Sequence, residues 1–300
     1  MAYTPQIEFY KKRQFGDKLN MTFVFLRENA WPYLKAQLLI SGPILLLSNI
    51  LMSQLSFGMF NFGEQGFSPD IIIDMFSLYG LVLISAVVTS AVLPAAAYGY
   101  MRAYEHKAPV DIRIPDVTKN LLSRIFNLLV FNVLTAIVVV IGMFFFFIPG
   151  VYLMIVLSLG SAIIVFEDNN PIDAFGRAFK LIKDKWWSTL GLLFVTAIIG
   201  YVISGLFSIP RTLLVFGDVF TSVQESGDFS SLDESNFGSN PLSILFSVLE
   251  TFGAILTYSI SFLALAFQYF NLVERRESRG LMSRIEQMDD AGTTEDEETY

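Results

Sequence analysis

The stretch that most constrains this chain is Ile125–Phe166, an apolar run long enough to cross a bilayer core twice, since one crossing takes about 20 mostly apolar residues. A Pro149-Gly150 pair divides it and predicts a tight turn between two spans. Four further stretches pass the same length test: Tyr33–Leu55, Asp74–Tyr100, Trp187–Ile209 and Leu242–Phe270. With the divided run counted as Ile125–Phe147 and Gly150–Phe166, the sequence predicts an all-α, polytopic bundle of six transmembrane helices. The expected organisation is a cytoplasmic N-terminal segment with an interfacial helix (1–32), a six-span membrane domain (33–271), and a cytoplasmic juxtamembrane segment with an acidic, disordered tail (272–300). The composition fits: 53% of residues are hydrophobic and 16% charged, against roughly 25% charged in soluble domains.

Basic residues provide an independent test of the count, because Lys and Arg favour the cytoplasmic side. They cluster at Lys11–Lys35, Arg102–Arg124, Arg177–Lys185 and Arg275–Arg284, all on one side of a six-span chain. Only Arg211 falls on the other side, among acids such as Asp70, Asp218 and Glu225. Both termini are therefore expected in the cytoplasm, and the expected setting is a bacterial cytoplasmic (inner) membrane. The first thirty residues are polar and charged, so the first apolar run is expected to be an uncleaved span and not a signal peptide. The net charge of −8 comes largely from six acids in the tail Asp289–Tyr300 and says little about partners of the membrane body.

Chemistry is scarce. There is no cysteine, which excludes disulfides, thiolate metal sites and cysteine nucleophiles, and the single histidine, His106, excludes a histidine-rich metal site. No phosphate-binding loop, dinucleotide fingerprint or nucleophile elbow occurs, so no catalytic, cofactor-binding or metal-binding residue and no nucleic-acid partner is predicted. His106 is expected in a solvated loop, and Glu167-Asp168 as a solvated acidic turn, with a cation site as the alternative. Ionisable groups at membrane depth are costly and mark function by default. The two candidates are Glu250 and Asp74, neither with an obvious basic partner at that depth. Asn49, Gln54, Asn127 and Asn132 are expected to bond between helices. Gly42-Pro43 and Pro94 predict kinks.

The segment after the fourth span has a helix start, with Asn170 as cap, Pro171 at the first position and Asp173 at the third. Ile172, Phe175, Phe179 and Ile182 form one apolar stripe, with Arg177 and Lys180 away from it. This is the pattern of an interfacial helix, anchored by Phe175, Phe179, Trp186 and Trp187. Phe23, Phe25, Leu26, Arg27, Glu28 and Trp31 match Phe179, Leu181, Ile182, Lys183, Asp184 and Trp187 at a constant offset, and Val117, Leu121 and Ile125 form a weaker echo. The sequence thus predicts three units, each an interfacial helix followed by a membrane hairpin. The long outer loop Pro210–Pro241 is expected to be polar and flexible.

Ile148-Pro149-Gly150, Glu167, Ala174-Phe175, Ala178-Phe179, Leu181, Lys183 and Trp186-Trp187 together resemble a loose group of bacterial six-helix membrane proteins. That group includes the membrane domain fused to some glycerophosphodiester phosphodiesterases. The resemblance covers about forty residues, and no soluble segment is long enough for the phosphodiesterase barrel. It implies a membrane module associated with lipid. The sequence thus favours a non-enzymatic module that scaffolds, assists or regulates a partner, either another membrane protein or a second copy, within the lipid bilayer. The alternative is a transporter or lipid-handling permease using Glu250 or Asp74.

Overall fold

Prolines, glycines and a few non-helical residues decide where this chain breaks. The computed structural model describes residues 7–65, 69–226, 241–282 and 284–285, and no strand occurs among them. The helices are α1 (Phe15–Ile40), α2 (Gly42–Gln65), α3 (Pro69–Tyr104), a one-turn 3-10 helix at Pro109–Asp111, α4 (Ile114–Val117), α5 (Leu121–Phe145), α6 (Phe147–Leu157), α7 (Gly160–Glu167), α8 (Pro171–Ile182), α9 (Trp186–Ser226) and α10 (Pro241–Glu277). Five stretches are long and apolar enough to cross a membrane: Ile73–Tyr104, Leu121–Phe145, Phe147–Glu167, Trp186–Leu214 and Ile244–Glu277. A sixth arises if Phe15–Ile40 and Gly42–Met52 count as one span bent by 58°. The bend falls at Ser41, just before Gly42-Pro43, where a proline ring cannot continue the preceding turn. Pro94, by contrast, sits inside an unbroken α3.

Three expectations change. The turn between the third and fourth spans is not Pro149-Gly150 but Phe146, whose backbone is extended (φ −153°, ψ 116°). Pro149 falls in the first turn of α6, where a missing N–H costs nothing. Second, α1 runs unbroken from Phe15 and α4 is a single turn, so only α8 stands as a separate short helix before a span. The offset match survives in burial: Phe23 and Phe179 are 42% and 39% exposed, Trp31 and Trp187 72% and 77%, while Phe25 and Leu181 are both buried. What differs is the backbone, because Lys183 is non-helical and Asp184 takes a positive φ of 68°, whereas Arg27 and Glu28 continue a helix. Third, α9 extends through Pro210 to Ser226 and α2 continues to Gln65, so much of the expected outer loops is helix. Residues 227–240 of the long loop, and the tail Asp289–Tyr300, lie outside the described residues.

The core lies at one end of the bundle. There α3 from Ala91 to Met101 and α10 from Leu263 to Glu274 are buried on every side, as expected of helices surrounded by others. Aromatic rings fill the centre: Phe25 meets Tyr104 edge-on at 5.3 Å, Tyr33 meets Tyr100 at 5.3 Å, and Phe9 of the N-terminal segment stacks on Phe270 at 4.8 Å. In the other halves of the helices large apolar side chains face outward, among them Phe76, Ile84, Ile141, Tyr201 and Phe216. Exposed apolar area on this scale needs an apolar surrounding.

The α9–α10 pair is the most extensive helix contact. As α9 advances from Gly200 through Ser204 and Phe207 to Arg211, its partners on α10 retreat from Thr257 through Gly253 to Glu250, so the helices are antiparallel. Gly200 and Gly253 allow the approach: a Cβ on either would come within 2.6 Å of Thr257 or Phe207 side-chain atoms.

Candidate functional site

The sequence before α8 folds as its residues demand. Asn170 Oδ1 accepts from the Asp173 N–H at 2.9 Å, and Pro171 occupies the first helical position. The buried face, however, is Ala174, Ala178, Leu181 and Ile182. Of the expected stripe, Ile182 is buried, Phe175 is half-buried with its ring 4.9 Å from that of Phe131, and Ile172 and Phe179 point outward at 75% and 39% exposure. Alanines let α8 sit close to α6 and α7, which displaces the larger side chains to the edge of the contact. Trp186 stacks on Tyr152 at 6.0 Å and donates to its carbonyl, while Trp187 stands outside the fold.

The acids ahead of α8 divide: Asp168 stays exposed as expected of a solvated turn, Glu167 is largely covered, and both clamp helices together. Glu167 receives Nε and Nη2 of Arg177 at 2.8–3.0 Å and the Tyr269 hydroxyl at 2.9 Å, which ties α7, α8 and α10. Arg177 also reaches Glu277 at 2.5 Å. Asp168 takes both Nη atoms of Arg102 at 2.5–2.6 Å, joining α3 to the α7–α8 turn. That two-pronged contact holds the Asp168 carboxyl below its usual range. Among the described residues no group of acids, histidines and cysteines suited to a metal ion occurs.

Glu250 is not unpartnered. Arg211, the one basic residue outside the four clusters, donates to its carboxylate at 2.8 Å, and both side chains are about one-fifth exposed. The pair sits in the α9–α10 seam, away from the cavities described below. Asp74 lies in the exposed first turns of α3, where its backbone carbonyl accepts from the Ser77 hydroxyl. The structure therefore does not bring the two candidate carboxylates together.

A different feature lies at mid-helix. α2, α3, α5 and α10 surround an open groove of about 680 Å³ whose wall is mostly apolar, with Ser48, Asn49, Ser85, Thr89, Asn132 and Thr135 spaced along it. Asn49 bonds Thr251 of α10 at 2.9 Å and Asn132 bonds Ser90 of α3 at 3.0 Å, the interhelical role expected of them. Gln54 and Asn127 make no such bond to a described residue. The Thr135 hydroxyl is buried and has no hydrogen-bond partner among the described residues.

Sequence reasoning missed Lys18, which is 1% exposed in the core. Its Nζ donates to Gln268 at 2.5 Å and Ser188 at 3.0 Å and lies 5.6 Å from the Phe15 ring centre. A signal was present: Lys18, Thr22 and Asn29 share the helical face of Phe25 and Tyr33.

A family model described as a domain of unknown function (DUF7847) matches residues 76–272, from α3 to α10. No curated protein and no solved structure matches the chain.

Proposed function

This chain belongs to the family of the domain of unknown function DUF7847, and on that footing we propose that it is a non-enzymatic integral membrane module that scaffolds, assists or regulates a membrane partner. It resides in a bacterial cytoplasmic membrane with both termini in the cytoplasm. There α8 is an amphipathic helix lying in the headgroup layer, with Ile172, Phe179 and Trp187 turned to lipid. Its partner is a membrane protein or a second copy of this chain.

The observation that carries the reading is the groove at mid-helix, open to the side, with apolar walls and spaced hydroxyl and amide groups. Such a lining suits an apolar helix that offers a few polar atoms, because close helix packing in a membrane relies on small and hydroxyl-bearing residues. The transporter reading draws less support, because Glu250 is engaged by Arg211 and lines none of the cavities described.

A photoreactive residue placed at Ala136, inside the groove, tests this against one placed at Tyr201, on the outward face of α9. A discrete protein adduct from position 136, absent from position 201, is the expected result. Lipid adducts alone from both positions would overturn the scaffold reading in favour of a lipid-handling permease.

A further inference from the structure

The α3–α5 seam that carries the groove ends in a second cavity of quite different character. It holds about 340 Å³ and is lined by Arg102, His106, Lys107, Asp116, Lys119 and Arg124, with Gly99 leaving room beside them. Four of these side chains are cationic. Asp116 pairs with Lys107 at 2.6 Å and Asp168 with Arg102 at 2.5 Å. Arg124 and Lys119 are left without an ion pair among the described residues. Arg124 is only 8% exposed, and its Nε is buried with no hydrogen-bond partner among the described residues. Burying a guanidinium with donors unmatched is costly unless an anion completes it. The backbone adds to the pull, since the cavity lies at the start of the 25-residue α5, where the helix dipole favours negative charge.

We propose that Arg124 and Lys119, with Arg102 and His106 at the rim, form a binding site for a phosphate-bearing anion. The guanidinium of Arg124 presents N–H donors in a planar fork suited to two phosphate oxygens. Neither cation has a direct ion pair among the described residues, and the one carboxylate near Arg124, Asp168, is already held by Arg102, so a phosphate group matches the charge left over. The source is a phospholipid headgroup or free phosphate, and the seam gives a reason to examine the first. From Gly99 to Ser90 along α3 is about 14 Å at 1.5 Å per residue, so the basic cavity lies beyond the apolar groove, at the end of the same spans where a headgroup would sit. Basic pockets between spans on the cytoplasmic side take anionic headgroups in this way. This site is separate from the groove and from the partner reading attached to it.

Native mass spectrometry of the full chain in detergent provides the test, with phosphatidylglycerol, phosphatidylcholine and inorganic phosphate as probes. Wild type is expected to retain phosphatidylglycerol over phosphatidylcholine. Arg124→Gln should weaken that retention about tenfold, as loss of one charge-assisted contact does, and Lys119→Ala by about threefold. Retention unaffected by millimolar inorganic phosphate identifies the headgroup as ligand. Displacement by phosphate, or phosphate-dependent thermal stabilisation that Lys119→Ala removes, identifies the free anion. If Arg124→Gln does not fold, the exposed Lys119 decides alone. Equal retention of both lipids with no effect of phosphate, or a Lys119→Ala protein that binds like wild type, overturns the proposal.

Discussion

Glu105 follows the last residue of α3 at the end of the bundle where the helices are most tightly packed, and burial pushes its carboxyl up to about 7, against the weaker opposing pull of Arg102. A folded-state pKa above the unfolded one means that the native protein binds the extra proton. Its stabilising effect is complete below about pH 4.5 and is lost as pH rises through about 7. Thermal unfolding in detergent should therefore show a midpoint falling between pH 5 and pH 8 in wild type. In Glu105→Gln the fall should be shallower, and equal slopes would show that Glu105 is not buried in this way. Nothing around Glu105 in the sequence signals this, because the burial depends on elements distant along the chain. The same limit explains Glu250 and Glu167. Arg211 is 39 residues from Glu250 and lies on another helix, so the pair becomes visible only when the antiparallel register of α9 and α10 is known. Arg177 is ten residues from Glu167, but a turn and the Asn170 cap intervene. The sequence exposed the acids as ionisable groups near span ends, without their partners.

At the scale of elements, lengths were legible and junctions were not. Hydropathy locates the spans because each must present about 20 apolar residues; five of the six expected stretches fall on helices long and apolar enough to cross a membrane, and the first does so only if the pair bent at Ser41 counts as one span. The α5–α6 hairpin shows why junctions are harder. Proline and glycine side by side suggest a turn, yet here Pro149 lies in the first turn of α6 and Gly150 permits close packing. A Cβ at Gly150 would come within 2.3 Å of Met143 Cγ, 2.6 Å of its N and 2.8 Å of its Cα. Backbone atoms cannot yield as a side chain can, so Gly150→Ala should destabilise by about 1–3 kcal/mol. Gly205 offers the control: it is also helical, with nothing within 4 Å of an added Cβ. Gly205→Ala should be neutral or stabilising by up to about 1 kcal/mol, from helix propensity. Unfolding midpoints of the two variants side by side decide the matter; a Gly150→Ala protein as stable as Gly205→Ala would mean that the hairpin is looser than described. The repeat reads the same way. Burial recurs between Phe23–Trp31 and Phe179–Trp187, but whether a helix breaks before its span depends on the local backbone at Lys183–Asp184, which side-chain patterning does not report.

Across the whole molecule, the four basic clusters converge. Arg102 pairs with Asp168 beyond α7, Arg177 of α8 with Glu277 at the end of α10, and Arg284 with Glu8 of the N-terminal segment. Arg276 donates to the carbonyls of Leu181 and Lys183, and Arg275 to that of Arg13. Segments far apart in sequence thus meet at one end of the bundle, while the Arg211–Glu250 pair lies well along α9 and α10 from it. Helices inserted with this bias orient their basic end to the cytoplasm, which makes orientation the prediction that bears on every other assignment. The absence of cysteine from the sequence makes the experiment direct, because any introduced thiol is the sole one. Val110→Cys, at a position 86% exposed within the 3-10 helix, should resist a membrane-impermeant maleimide in intact cells and react once the membrane is opened. Ser230→Cys, between α9 and α10 and outside the described residues, should react in intact cells. Protection of position 230 together with labelling of position 110 would invert the molecule. It would place the basic cavity and α8 on the outer face, and the headgroup site would then have to draw its ligand from the opposite leaflet.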